Sequence, residues 1–217
     1  MFQVRFKCVA IRRRYVGVIM KKYIGDYTAA LNGVMEKFDT AQFEKIAGIL
    51  ADAYKNDKQV FIAGNGGSAG TANHFVCDFG KNAVPFTGTG PGKRRFRIIS
   101  VSDNIEKITA LGNDIAFEEI FRQQLINLMN EGDVFIAISA SGNSPDIVRA
   151  CEYAREKKSH IIILAGFNGG KIKEFGEVSL VVPLESYEQI EDIHLIILHM
   201  IVYYFKTHPE ILESRNN

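Results

Sequence analysis

Two groups of residues in this chain have the types and spacing for acid–base or metal chemistry. His74 and Asp78 stand four apart, so on a helix they share a face and can meet. An imidazole beside a carboxylate can relay a proton, hold a divalent ion or form a plain surface pair, and spacing alone leaves all three open. Later in the chain Glu188, Glu191, Asp192, His194 and His199 are set among Ile, Leu and Met. His199 lies in Leu195-Ile196-Ile197-Leu198-His199-Met200-Ile201, where a lone histidine is most often a satisfied core residue. Such a place predicts a desolvated ring with a lowered pKa, neutral and able to shuttle a proton. Glu191 and His199 are eight residues apart, roughly 12 Å along a helix. If both line one site, their side chains lean together, or the helix begins after Glu191, or a second subunit supplies one of them.

Two loops could hold an anion. Gln59-Val60-Phe61-Ile62-Ala63 is a short apolar run that reads as a buried strand. It breaks at Gly64-Asn65-Gly66-Gly67, and Ser68 is expected to cap a helix over 69–79. Free N–H groups and the positive end of the helix dipole would then point at one spot. The grammar repeats at 133–138, an apolar strand followed by Ser139-Ala140-Ser141-Gly142-Asn143-Ser144-Pro145. Ser144 at N-cap with Pro145 at N1 starts a helix cleanly. This loop offers hydroxyls and backbone donors but neither Lys nor Arg. That suits a phosphate monoester better than a nucleic-acid backbone, which takes rows of cations.

The elements that must carry these residues alternate. Strands are expected at 59–63, 96–101, 133–138, 160–164 and 178–182, with helices at 69–79, 105–111, 117–130, 145–157 and 189–205. A turn over 166–170 and a short helix after it separate the fourth and fifth strands. Gly112-Asn113-Asp114 is expected to halt the 105–111 helix. Strands that are apolar throughout and alternate with helices signal an α/β fold with a parallel sheet covered on both faces. Ligands of such sheets sit at the carboxyl ends of the strands. Residues 26–55 are helical in pattern, interrupted at Asp39-Thr40, and two helices before the first strand suggest a packing partner. Lys93-Arg94-Arg95 falls in a Gly- and Pro-rich stretch read as a long surface loop.

At 217 residues, 47% hydrophobic and 24% charged, one soluble domain is the default. Seven basic residues and no acidic one precede Asp26, leaving 19 basic groups against 25 acidic in the remainder, a net of −6. An acidic body argues against a nucleic-acid surface. Residues 1–22 are read as a basic extension outside the fold, and 23–217 as the single domain. No run approaches the ~18 apolar residues of a membrane span. Cys8, Cys77 and Cys151 show no CxxC spacing, so neither a disulfide framework nor a cysteine zinc site is implied and a cytoplasmic protein is expected. Gly64-x-Gly66-x-x-Ala69 fits a dinucleotide fingerprint, but no Asp or Glu lies between Asp78 and Asp103 to hold a ribose, so no nicotinamide cofactor is expected.

Taken in order, Gly64-Asn65-Gly66-Gly67-Ser68, His74-Phe75, Gly112-Asn113-Asp114, Ser139-x-Ser141-Gly142-Asn143-Ser144 and Glu191-Asp192-Ile193-His194 with His199 resemble the SIS (sugar isomerase) domain family. The likeness is to its phosphoheptose isomerase branch, and Lys171 after Gly169-Gly170 also fits. The resemblance implies a flavodoxin-like three-layer sandwich, a five-stranded parallel sheet with N-terminal helices, assembled as a homotetramer. It implies aldose–ketose isomerisation of sedoheptulose 7-phosphate or a related phosphosugar through an enediol. It places phosphate binding on Ser139, Ser141 and Ser144. Further substrate contacts fall on Asn65, Gly66, Gly67, Ser68, Asn113, Asp114, Ala140 and Glu191. Catalysis falls on Asp78 and His199, and a zinc ion on His74, Asp78, Glu191 and His199. Two residues depart from the family pattern: Asp78 replaces its usual Glu, and Glu191 its usual Gln. A sister branch without the catalytic pair binds the bacterial replication initiator, so a non-catalytic phosphosugar- or initiator-binding protein is the alternative. Retention of Asp78 and His199 speaks against it.

Overall fold

In the computed structural model, residues 2–84 and 94–213 are described, with side chains from Gly17 onward. The stretch carrying Lys93 and the residues before it therefore lies outside the described residues, as does residue 1. The chain divides into two compact units, Met1–Phe38 and Asp39–Asn217. The first is one helix, α1, Phe2–Met35. Helix was expected from residue 26, but it runs through the basic stretch as well. A single glycine in a helix costs only about 1 kcal/mol, so Gly17 and Gly25 do not stop it. Lys22 pairs with Asp26 one turn on, while Val18, Ile19, Met20, Tyr23 and Ile24 are exposed.

The second unit opens at Asp39, whose carboxylate accepts from the N–H groups of Ala41 and Gln42 and caps α2, Thr40–Lys55. Five strands follow: β1 Gln59–Gly64, β2 Arg97–Ser100, β3 Val134–Ser139, β4 His160–Gly166 and β5 Val178–Val182. They form one sheet in the order β2-β1-β3-β4-β5, and every pairing is parallel. Between them run α3 Gly66–Asn82, α4 Ile105–Asp114, α5 Arg122–Leu128 and α6 Pro145–Glu156, and α7 Tyr187–Thr207 follows β5. The helix expected over 117–130 is a 3-10 turn, Phe117–Glu119, followed by α5.

The period of two sorts the strand residues onto two faces. Phe61, Ala63, Phe135, Ala137, Ile161 and Ile163 pack with Leu125 of α5 and with Ile147, Ala150 and Ala154 of α6. Val60, Ile62, Val134, Ile136, Ile162 and Leu164 alternate to the other face and are equally buried. There α2, α3 and α7 lie against β5, β1 and β4. Phe79 of α3, Phe96 and Phe205 of α7 form an aromatic cluster on that side, with ring centroids 4.2 to 5.6 Å apart. Covering both faces is what makes the strands apolar throughout.

The chain order of the strands reverses between β1 and β3, which are paired with Gly64 opposite Ile138. A doubly wound sheet opens its ligand crevice at such a point, beyond the carboxyl ends of the strands. The Gly64 and Ser139 loops both leave the sheet there. No helix among the described residues is long and apolar enough to cross a membrane.

Candidate active site

The turn after β1 is tighter than its sequence suggests. The helix begins two residues before Ser68, with Asn65 at N-cap and Gly66 at φ 52°. Ser68 therefore does not cap α3. It is buried in the first turn and presses on Gly64, where an added Cβ would lie 2.6 Å from the Ser68 backbone. The correction follows from Gly66, which enters the left-handed region at no steric cost and lets the helix start early. Asn65 makes no side-chain capping bond.

The Ser139 loop is held from within and from the following turn. The Gly142 N–H donates to the Ser139 carbonyl and sits 3.2 Å from its Oγ, and the Asn143 N–H donates to Ser141 Oγ. Ser139 Oγ and Ser144 Oγ lie 3.3 Å apart. Ser144 is the N-cap of α6 and Pro145 opens the helix, as expected, but the Ser144 hydroxyl makes no capping bond. The Ser141 hydroxyl, accepting from the backbone, keeps its proton free to donate to an anion, and of the paired Ser139 and Ser144 hydroxyls only one donates to the other, leaving the second proton available. From outside, the Gly166 N–H donates to Ala140, the Lys171 N–H to Asn143 Oδ1 and the Ile172 N–H to Gly142. Gly142, at φ 65°, has no room for a side chain: a Cβ there would meet the Gly169 carbonyl oxygen at 2.1 Å.

Helices α3 and α7 run side by side in the same direction. Gly67 faces Glu191, His74 faces His199 and Phe79 faces Phe205. At the middle of this pair His74 Nε2 lies 3.1 Å from Asp78 Oδ2 and 2.9 Å from His199 Nε2, with His199 Nε2 3.7 Å from the same carboxylate oxygen. Asn82 Nδ2 approaches the second oxygen of Asp78 at 3.4 Å. Ligand atoms of His74, Asp78 and His199 all fall within 4.8 Å of one another. Two imidazole nitrogens and one carboxylate oxygen this close together are a set of donors that a divalent ion could take.

A model of the SIS domain matches residues 22–166. The chain belongs to the SIS domain family. It is 34% identical over 178 residues to the phosphoheptose isomerase of Helicobacter hepaticus, an alignment covering 81% of this chain and 87% of that protein. It is 38% identical over 166 residues to the phosphoheptose isomerase of Bordetella avium, covering 72% and 79%. Among solved structures, the phosphoheptose isomerase of Neisseria gonorrhoeae superposes with a TM-score of 0.77 at 26% identity, over 88% of this chain and 99% of that one. That of Francisella tularensis gives 0.74 at 25%, over 87% and 96%. These relatives share the five-stranded parallel SIS fold, and they place this chain in the phosphoheptose isomerase branch.

Other residues singled out for an SIS site lie apart from the histidine cluster. Glu191 is on the same continuous helix as His199, because α7 begins at Tyr187, before both. Its carboxylate rests on the first turn of α3, where a Cβ on Gly67 would lie 2.2 Å from Oε2. It is thus one end of the helix pair away from His74, about 12 Å along α7 from His199. Burial, then the charges of Glu188 and Asp192, hold its pKa above the usual carboxylate range. Asn113 and Asp114 do not break α4, which runs on to Asp114. Both are exposed, and Asn113 Nδ2 donates to Asp114 Oδ1 at 2.8 Å.

The roles expected of one histidine are divided between two. His199 is not desolvated: 48% of its side chain is exposed and it faces α3. The buried neutral ring belongs to His194, which shares a face with Ile190, Ile197, Leu198 and Ile201. Its Nε2 donates to the Ala165 carbonyl at 3.1 Å, and burial pushes its pKa down to about 4. Five residues on a helix turn a side chain well over a third of a circle, so one apolar run holds both environments. An unfolded chain protonates this histidine near pH 6.5 while the folded chain does so only near pH 4. The unfolded state therefore binds the extra proton between those values, and stability falls as pH drops through that window by at most about 3 kcal/mol. Urea midpoints measured at pH 7.5 and 4.5 should show this loss, and His194→Gln should diminish it.

Proposed function

We propose that this chain is a sugar-phosphate aldose–ketose isomerase acting on sedoheptulose 7-phosphate or a closely related phosphosugar. The observation that carries the reading is the meeting of His199 with His74 and Asp78, residues distant in the chain, on the helix pair whose first member begins at the Gly64 loop. The names of its relatives supply the substrate class, a phosphorylated sugar.

The reaction asks for little and for specific geometry. A base removes the proton from the carbon beside the carbonyl, and the electron pair moves to form an enediol. The proton is returned to the neighbouring carbon while another moves between the two oxygens. A carboxylate and an imidazole beside the substrate can serve as the base and acid pair. Asp78 takes the carbon-bound proton in this reading, and His199 handles the proton on oxygen. The hydroxyls of Ser139, Ser141 and Ser144 receive the phosphate, with the start of α6 behind them. Asn65, Gly66 and Gly67 receive the sugar. Zinc, held by His74, Asp78 and His199, would stabilise negative charge on the enediolate oxygens. Glu191, lodged on Gly67, joins such a set only by moving or from a second subunit.

A homotetramer is part of this proposal. Val18, Ile19, Met20, Tyr23 and Ile24 leave an apolar stretch of α1 exposed, which another copy can cover. A thermal-shift panel of keto- and aldose phosphates of five to seven carbons, with NAD and NADP included, tests the ligand class. Sugar phosphates should raise the melting temperature by several degrees at millimolar concentration. Stabilisation by a dinucleotide alone would overturn the reading, and capture of the replication initiator with no response to any sugar would favour the non-catalytic alternative.

A further inference from the structure

Asp146 is a buried carboxylate that the acid–base reading leaves unused. It stands in the first turn of α6, only 1% exposed. It accepts Asn65 Nδ2 at 2.7 Å, and the N–H groups of Ile147 and of Asp146 itself also bond to it. Burial raises its pKa, and these donors work the other way. The bond to Asn65 crosses from the Ser139 loop to the Gly64 loop, joining the ends of the neighbouring strands β3 and β1.

The bond also decides what Asn65 offers. An asparagine at N-cap ordinarily turns its Oδ1 onto the free N–H groups of its own helix. Asn65 makes no such bond, because its amide nitrogen is drawn to Asp146. A carboxylate can only accept, so it fixes the amide with nitrogen inward and oxygen on the opposite side. Asn65 is half-buried, and among the described residues no group bonds its Oδ1. The first N–H groups of α3 are likewise spared by this side chain.

We propose that Asp146 is a positioning residue: through Nδ2 it holds the Asn65 amide with Oδ1 presented as an acceptor to a sugar hydroxyl. The site thereby favours a phosphosugar that donates a hydrogen bond at that point. This rests on the phosphosugar isomerase reading above. A carboxylate has no hydrogen to donate, so it takes Nδ2 and not Oδ1, and as a charged acceptor it makes the stronger bond.

The test is steady-state kinetics on the best sugar phosphate, with folding followed by circular dichroism. Asp146→Leu removes the acceptor and should raise KM about tenfold while kcat stays within about threefold, the pattern of lost uniform binding. Asp146→Asn keeps an acceptor oxygen of the same shape and should hold KM within about threefold of wild type. Asn65→Asp sets two carboxylates face to face and should raise KM at least about tenfold. Combining Asn65→Asp with Asp146→Asn puts the donor at 146 and an acceptor at 65, and should recover most of that loss. A merely structural role would lower stability without this recovery in KM. If Asp146→Leu fails to fold, the exchanged pair decides. Wild-type turnover together with an unchanged KM in folded Asp146→Leu, or no recovery in the folded exchange, overturns the inference alone. Absence of turnover by wild type on every sugar phosphate overturns the isomerase reading and this inference with it.

Discussion

His199→Ala is expected to lower turnover on the best sugar phosphate by roughly a thousandfold or more, within the range that a lost acid–base group and a disturbed site together supply. The fold should survive. His199 is half exposed and contributes its ring to a neighbour's ring nitrogen rather than to the core. The buried contacts of α7 come from Ile193, Ile197, Ile201 and Phe205, which the substitution leaves alone. Phosphate binding should also persist, because the serine loop is braced by Gly166, Lys171 and Ile172, none of which depends on α7 carrying this histidine. Measuring kcat beside the thermal shift produced by a sugar phosphate separates these effects. A variant with near wild-type kcat would remove His199 from the chemistry.

The second large effect belongs to Asp78. Asp78→Asn preserves the shape and the approach of Asn82 but removes the charge that faces His74 and His199. It should cost about a hundredfold to ten-thousandfold in kcat, with stability changed little. Asp78→Glu restores the length usual in the family. A carboxylate misplaced by about an ångström can cost on the order of a hundredfold in rate. If sedoheptulose 7-phosphate is the substrate, the longer side chain should therefore keep or raise activity on it. If a different sugar is the substrate, Asp78→Glu should lower activity on that sugar. Asp78→Asn with wild-type turnover would show that the family's base has been placed on the wrong residue.

Much of the sheet could be read directly from the chain, because a parallel strand buried on both faces leaves a continuous apolar run. Gln59–Gly64, Val134–Ser139, His160–Gly166 and Val178–Val182 all begin within a residue of where those runs do. Helix starts were harder. Ser68 has the chemistry of a cap, yet Gly66 lets α3 begin earlier and buries Ser68 instead. The 191–201 segment is apolar enough that periodicity hardly separates its faces, so the buried histidine was expected at 199 and stands at 194. The meeting of His74 and His199 depends on α3 and α7 running in parallel, a tertiary fact reached beforehand only through family resemblance. Asp146 carried no signal of its own. An acid in the first turn of a helix ordinarily answers the helix dipole, and nothing local marks this one as buried against Asn65.

The central claim is that this chain moves a proton between adjacent carbons of a sugar phosphate. The measurement that tests it most directly is incubation of the full chain with sedoheptulose 7-phosphate in D2O, followed by NMR and mass spectrometry. The account predicts an aldoheptose 7-phosphate carrying deuterium on the carbon that received the proton, with neither exchange nor product in His199→Ala. Folded protein that binds the sugar phosphate yet yields neither aldose nor deuterium exchange, with and without added zinc, would contradict it.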